Sequence, residues 1–259
     1  AAAAQDAVLV AVARVTEIER SPTLFLAELQ RIQQQKAHIF IDNSNIFISA
    51  QYAGLSSSSS SSSSGKQAIA SRDPAVRLSA KNLVELVENG RQAVERTVFG
   101  STPPASNSVW SVFKGLGYQV HLARRPDTNK EQFVDDAILS QIQGAILGVA
   151  QPANHVLVLL TGDGNSNHGR VSFPTVVSSA IGAGWSVEVW SWRCSCHQVY
   201  FQFQQSYQST GKFRLCFLDN YRSQLLFRQV APSVASPAAL SYPMRRAPAP
   251  AATIPIAGH

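Results

Sequence analysis

The sequence predicts an α/β fold, a three-layer α/β/α sandwich around a central, mainly parallel sheet. Three observations carry that expectation. Six short runs rich in β-branched and aromatic residues recur between residues 38 and 218. Segments with apolar residues at helical spacing lie between them. Glycines close several of those segments, as helix C-termini require. Strands that alternate with helices in this way form βαβ units, and such units build a parallel sheet covered on both faces.

The strand-like runs are HIFID (38–42), RTVFG (96–100), YQVHL (118–122), HVLVLL (155–160), SVEVW (186–190) and FRLCFL (213–218). Leu83, Val84, Leu86 and Val87 form a helical face that stops at Gly90, and Val109, Trp110, Val112, Phe113 and Leu116 form another that stops at Gly117. Val134, Ala137, Ile138, Ile142, Ala145 and Ile146 fall on one stripe. Pro174 opens a further helix through Ile181, closed by Gly182 and Gly184. A helix over Ser21 to Gln35 is expected ahead of the first strand, with Ser21 as N-cap and Pro22 at its first position.

Length and composition fit one such domain with appendages. The chain has 259 residues, 45% of them apolar, and 22 Lys+Arg against 16 Asp+Glu for a net charge of +6. Residues 1–36 form an N-terminal extension that sums to zero charge, residues 37–230 form the domain, and residues 231–259, dominated by Pro and Ala, read as a disordered tail. Ser56 to Ser64 is an unbroken serine run, and 51–75 reads as a flexible insertion. The longest apolar stretches, Ala7 to Ala13 and Val156 to Leu160, fall short of the ~18–20 residues of a spanning helix, so no membrane role is expected. Three cysteines (Cys194, Cys196, Cys216) do not make a disulfide framework and favour a reducing, intracellular setting. The chain opens on Ala1 with no charged-then-apolar leader, which points to a longer parent chain.

Open parallel sheets place their chemistry at the carboxyl ends of the strands. Asp42 ends the first predicted strand, in Asp42-Asn43-Ser44-Asn45, and Asp163 follows the fourth, in Thr161-Gly162-Asp163-Gly164-Asn165. Asp135 and Asp136 sit at the start of the helix before that fourth strand, on the same face. At ~100° per residue, Asp136 points away from the apolar stripe and Asp135 lies on its flank, so Asp135 is the candidate. Two carboxylates at ~4 Å repel by about 4 kcal/mol at an effective dielectric of 20. A native cluster therefore implies a cation, and Mg²⁺ or Mn²⁺ suits such oxygen ligands. The competing reading is that these residues start turns and cap helices.

Five segments in order, FIDNSNIF (40–47), FGSTPP…VW…GYQV (99–120), KEQFVDDAI (130–138), LLTGDGN (159–165) and GWSVEVWSWR (184–193), resemble the NYN domain of the PIN-like nuclease superfamily. The resemblance spans about His38 to Tyr221. It implies a metal-dependent ribonuclease with strand order 3-2-1-4-5, which sets the Asp42 and Asp163 strands side by side. It makes Asp42, Asp135 and Asp163 the catalytic, metal-binding acids and Asn45 a ligand or water-positioner. Where many members carry a further acid, this chain has Asn165, whose amide oxygen can still hold Mg²⁺.

Arg124, Arg125, Lys130, Arg170 and Arg193 lie on the carboxylate face as candidate phosphate contacts for single-stranded RNA, and Trp192 is the candidate stacking platform. Trp190, Tyr200, Phe201 and Phe203 are expected in the core, the last three on a short helix near 198–206. Ser101 and Thr102 are further possible phosphate donors, Asn107 a helix cap and His168 a remote candidate for proton transfer. Cys194-Ser195-Cys196-His197 lacks the two separated pairs of a zinc site. Gly162-x-Gly164 does not complete a dinucleotide loop, so neither a nicotinamide nor a flavin cofactor is expected. Two rival readings are an RNA-binding module that cleaves weakly or not at all, and a von Willebrand factor A-like adhesion domain. The latter's DxSxS and TDG motifs are only partly echoed at 42–45 and 161–164. No protein partner is legible.

Overall fold

The computed structural model describes residues 22–53, 72–101, 108–123, 131–165 and 171–229. The serine run and the segment from residue 230 onward lie outside the described residues, as do Thr102, Asn107, Arg124, Arg125, Lys130, His168 and Arg170.

The chain enters through α1 (Pro22–Gln33), with Pro22 at the helix start as expected, and turns into β1 (Lys36–Asp42). Every residue of β1 after Lys36 is buried. Ala37, Ile39 and Ile41 face one side and Phe40 the other, the two-sided burial of a central parallel strand. α2 (Asn43–Ala53) follows without a linker. β2 (Val76–Leu78) is succeeded by α3 (Ala80–Glu88), which Ser79 caps by accepting from the Asn82 N–H. Asn89 ends α3 in the left-handed region at φ 48°, one residue before the expected Gly90. β3 (Gln92–Ser101), α4 (Ser108–Gly115), β4 (Gln119–Ala123) and α5 (Glu131–Gly148) complete the first half. The second half runs β5 (His155–Leu160), α6 (Phe173–Gly182), β6 (Ser186–Ser191), α7 (Gln198–Ser206) and β7 (Phe213–Phe217), then α8 (Arg222–Leu225) and β8 (Leu226–Arg228).

Six strands form one parallel sheet in the order β4-β3-β1-β5-β6-β7. Numbered along the sheet alone this is 3-2-1-4-5-6, the expected order with one strand added, and the strand order reverses between β1 and β5. Residues of α2, α3 and α4, among them Ile46, Leu83 and Phe113, form one core layer. Residues of α5, α6 and α7, among them Ile142, Val176 and Tyr200, form the other. The three-layer α/β/α sandwich is thus present, its two cores separated by the sheet.

Two features depart from the expectations. β2 and β8 pair antiparallel in a separate two-stranded ribbon, Val76 opposite Arg228 and Leu78 opposite Leu226. The flanks of the expected 51–75 insertion are also ordered. α2 continues to Ala53, the Asp73 N–H donates to the Gln51 carbonyl at 3.0 Å, and the Arg72 guanidinium bonds the Gln51 side chain. On the outer side of edge strand β7, the Leu215 N–H donates to Gln204 Oε1 of α7 at 2.7 Å, which closes one exposed ladder position. No helix among the described residues is long and apolar enough to cross a membrane.

A candidate acidic site at the sheet switch point

Asp42 is the last residue of β1 and is only 6% exposed. Its Oδ1 accepts the Asn45 N–H at 3.1 Å, an N-cap for α2. Its Oδ2 accepts the Thr161 hydroxyl at 3.2 Å. Thr161, fully buried just past the end of β5, also accepts the Asp163 N–H on that same oxygen at 3.1 Å. One hydroxyl therefore ties the Asp42 carboxylate to the Asp163 backbone across the point where the strand order reverses, which is where such sheets bind their ligands.

The turn that carries Asp163 is held from three directions. Asn45 Oδ1 accepts the Gly162 N–H at 2.8 Å, so its carboxamide braces the turn against α2. Asn165 donates to Asp163 Oδ1 from its backbone N–H at 2.9 Å and from its side chain at 2.7 Å, fixing the carboxylate's direction. From beneath, the Tyr200 hydroxyl donates to the Asp163 carbonyl, and the His197 N–H donates to the Gly162 carbonyl at 3.0 Å. Burial, then the charges of Asp163, Cys196 and Asp42, push the Tyr200 phenol well above its ordinary value, so it remains a donor.

Both glycines of the turn are required by this closeness. A Cβ on Gly162 would stand 2.3 Å from the Ser195 carbonyl oxygen, and one on Gly164 would stand 2.6 Å from the His197 ring. His197 in turn caps α7, accepting the Val199 N–H on Nδ1 at 3.2 Å. Its neighbours Cys194 and Cys196 are free thiols, as is Cys216. Burial first, moderated by Ser191 and Arg193, pushes the Cys196 thiol up to about 11.

Trp192 corrects the sequence reading. It is fully buried and donates its indole N–H to the Ile46 carbonyl at 3.0 Å, so it cannot stack on a base. The chain after β6 turns under α2 rather than out to solvent, and Cys194 continues that contact through Ser49. Arg193 is exposed, with its guanidinium 3.9 Å over the Phe217 ring and its backbone N–H on Asp219 Oδ2 at 2.8 Å. Trp190 and Tyr200 are buried as expected. Phe201 packs on Phe217, and Phe203 packs on Phe213. Asp136 is exposed, as its helical phase predicts. Asp135 lies in the N-terminal part of α5, after the carboxyl end of β4, with its side chain outside the description, as is that of Ser101.

Among the described residues no three His, Cys, Asp or Glu side chains gather as a metal cluster. The donors that do lie at the switch point, two carboxylates and two carboxamides, are all oxygen ligands, the set that Mg²⁺ and Mn²⁺ prefer. Sequence reasoning passed over Thr161 and the Tyr200 hydroxyl. Thr161 stands within the LLTGDGN segment, one place beyond a fully apolar strand, and a polar residue at that position was the available signal.

No protein-family model matches the chain, and no curated protein matches it. The chain is similar in fold to the crystal structure of a protein of unknown function from Vibrio parahaemolyticus. Identity is 14% and the TM-score is 0.50, over 75% of this chain and 98% of that one.

Proposed function

We propose that the chain is a metal-dependent ribonuclease of the PIN-like, NYN type, acting inside the cell on single-stranded RNA. The observation that carries the reading is the coupling of Asp42 and Asp163 through Thr161 at the switch point. Two acids from adjacent strand ends are held there by a scaffold rigid enough to exclude a methyl group from Gly162. Asp42 and Asp163 would hold the Mg²⁺ or Mn²⁺ together with Asp135 and the amide oxygen of Asn165, while Asn45 braces the turn. Such a metal supplies an activated water and a polarised phosphodiester. Arg193, stacked on Phe217, offers its guanidinium edge to a phosphate, and Arg124, Arg125, Lys130 and Arg170 follow the same strand ends and helix starts in the sequence.

RNA binding without cleavage is the second reading. It is favoured by the hydrogen-bonding duties of the two acids, Asp42 capping α2 and Asp163 fixing its own turn with Asn165. One experiment separates the two. End-labelled single-stranded RNA is incubated with Mn²⁺, Mg²⁺ or chelator and with wild type or Asp163→Asn. Metal-dependent cutting that disappears in a folded Asp163→Asn supports the nuclease. RNA bound but uncut under every condition supports the binding module, and neither binding nor cutting overturns both.

A further inference from the structure

The amino-terminal halves of β1, β3 and β5, remote from the acidic site, bring together three titratable residues, His38, Glu95 and His155. His38 Nδ1 lies 3.1 Å from Glu95 Oε2, and His38 Nε2 lies 2.9 Å from His155 Nδ1. The fully buried Trp185 packs edge-on against both imidazoles, at centroid distances of 4.7 and 5.3 Å, and its indole N–H has no acceptor among the described residues. Gln141 of α5 donates to the other oxygen of Glu95 at 3.4 Å. Glu95 is the charged group bonded to the pair, and Lys36 is the charge besides His38 that acts on His155. Lys36 stands on β1 in register with His155. The neighbouring half of α5, and all of α6, contain no charged residue.

The hydrogen bonds fix the protons. A carboxylate only accepts, so His38 Nδ1 carries a hydrogen toward Glu95. In neutral His38 the Nε2 is then the acceptor, and His155 must donate from Nδ1. A proton added at His155 Nε2 leaves that arrangement intact, with an imidazolium donating to a neutral imidazole and Glu95 balancing the charge. A second proton has no such place. It sets two N–H groups against each other at 2.9 Å inside a packed wall, and one ring must leave.

We propose that His38, Glu95 and His155 form a proton-sensitive latch at the base of the β1–β5 seam, holding the seam closed with up to one added proton and opening it locally when a second arrives. His155 is the ring that leaves, because it is the more exposed of the two, while His38 is buried, bonded to Glu95 and closer to the tryptophan edge. Burial first, then the charges of His38 and Lys36, hold His155 below its ordinary imidazole value. The sign follows. The opened form takes a proton that the closed form refuses, so closure is fully favoured above about pH 6.5 and weakens as pH falls below it. One proton taken up on opening makes the opening constant rise about tenfold per pH unit.

The test is hydrogen exchange read at the Val156 and Leu157 amides of the 259-residue chain between pH 7.5 and 5, after correction for intrinsic exchange rates, with His155→Gln alongside. Glutamine can still donate to His38 Nε2 but takes no proton. Wild type should lose protection about tenfold per unit below pH 6.5, and His155→Gln should stay flat. An equal pH response in both proteins overturns the proposal. Imidazole NMR of the wild type tests it without any variant. Two separated protonation steps with different midpoints are expected, and two independent titrations at one midpoint refute the coupling.

Discussion

Replacing Thr161 by valine removes one hydroxyl and keeps the shape, which isolates the link between the two acids. Two hydrogen bonds disappear together. The bond to the Asp42 carboxylate is of the charged kind, about 1.5–3 kcal/mol, and the bond from the Asp163 N–H is of the neutral kind, about 0.5–1.5 kcal/mol. Since Thr161 is fully buried, water does not restore either one, and the expected loss of stability is about 2–4 kcal/mol. Serine is the control. Thr161→Ser keeps the hydroxyl and loses one buried methyl, a cost of about 1 kcal/mol. Urea unfolding should therefore order the proteins wild type, serine, valine, with valine clearly lowest. If the coupled acids hold a cation, Mn²⁺ affinity should fall about 10–100-fold in the valine variant and stay near wild type in the serine variant, as outer-shell partners generally behave. A valine variant as stable as the serine variant would refute the argument that this hydroxyl joins the two strand ends.

Two further outcomes follow from the same structure. Gly162→Ala must part the turn from the Ser195 carbonyl, which is backbone and cannot rotate aside, and should cost at least about 2 kcal/mol in urea unfolding together with cleavage of labelled RNA; a neutral alanine would show that the two loops are not in contact. Arg91→Met strips Glu188 of its bidentate partner at 2.9 and 3.0 Å, leaving the Trp190 N–H at 3.3 Å and Arg214 at 3.7 Å, and should cost about 3–5 kcal/mol. The double variant Arg91→Met/Glu188→Met should recover at least half of that loss, and a single variant within about 1 kcal/mol of wild type would mean that Arg214 replaces Arg91.

The six sheet strands were legible as short runs rich in β-branched and aromatic residues, and most plainly in HVLVLL, a central parallel strand buried on both sides. Most of their helices were legible from spacing and from the glycines that stop several of them, but α2 was not, since no apolar stripe was read over 43–53. β2 and β8 were not, since VRL and LFR are three residues each and pair over a separation of some 150 positions that no local pattern records. Asp42 and Asp163 could be placed at neighbouring strand ends from topology alone. What joins them could not, because a threonine hydroxyl leaves no periodic trace. Trp192 misled for a definite reason. A tryptophan beside an arginine just past a strand end looks exposed, and only the path of the chain under α2 shows that its N–H reaches the Ile46 carbonyl. His38 and His155 open the predicted runs HIFID and HVLVLL, and Glu95 lies one place before RTVFG, yet their meeting depends on the register of three strands far apart in sequence.

The β2–β8 ribbon has a consequence for the order in which the molecule is made. β1, β3 and β4 can pair once residue 123 has been synthesised, and β5 can join at residue 160. Val76 to Leu78 waits for a partner that is not translated until Leu226 to Arg228. Until then the far border of the serine segment has no strand beside it, and the Ser79 N–H lacks the Leu225 carbonyl that it bonds at 2.8 Å in the finished protein. The last dozen residues of the sandwich thus fasten a piece made about 150 residues earlier. A nascent chain stopped short of residue 225 would carry most of its sheet and yet leave that border open to proteases, a difference that limited digestion of arrested chains would register.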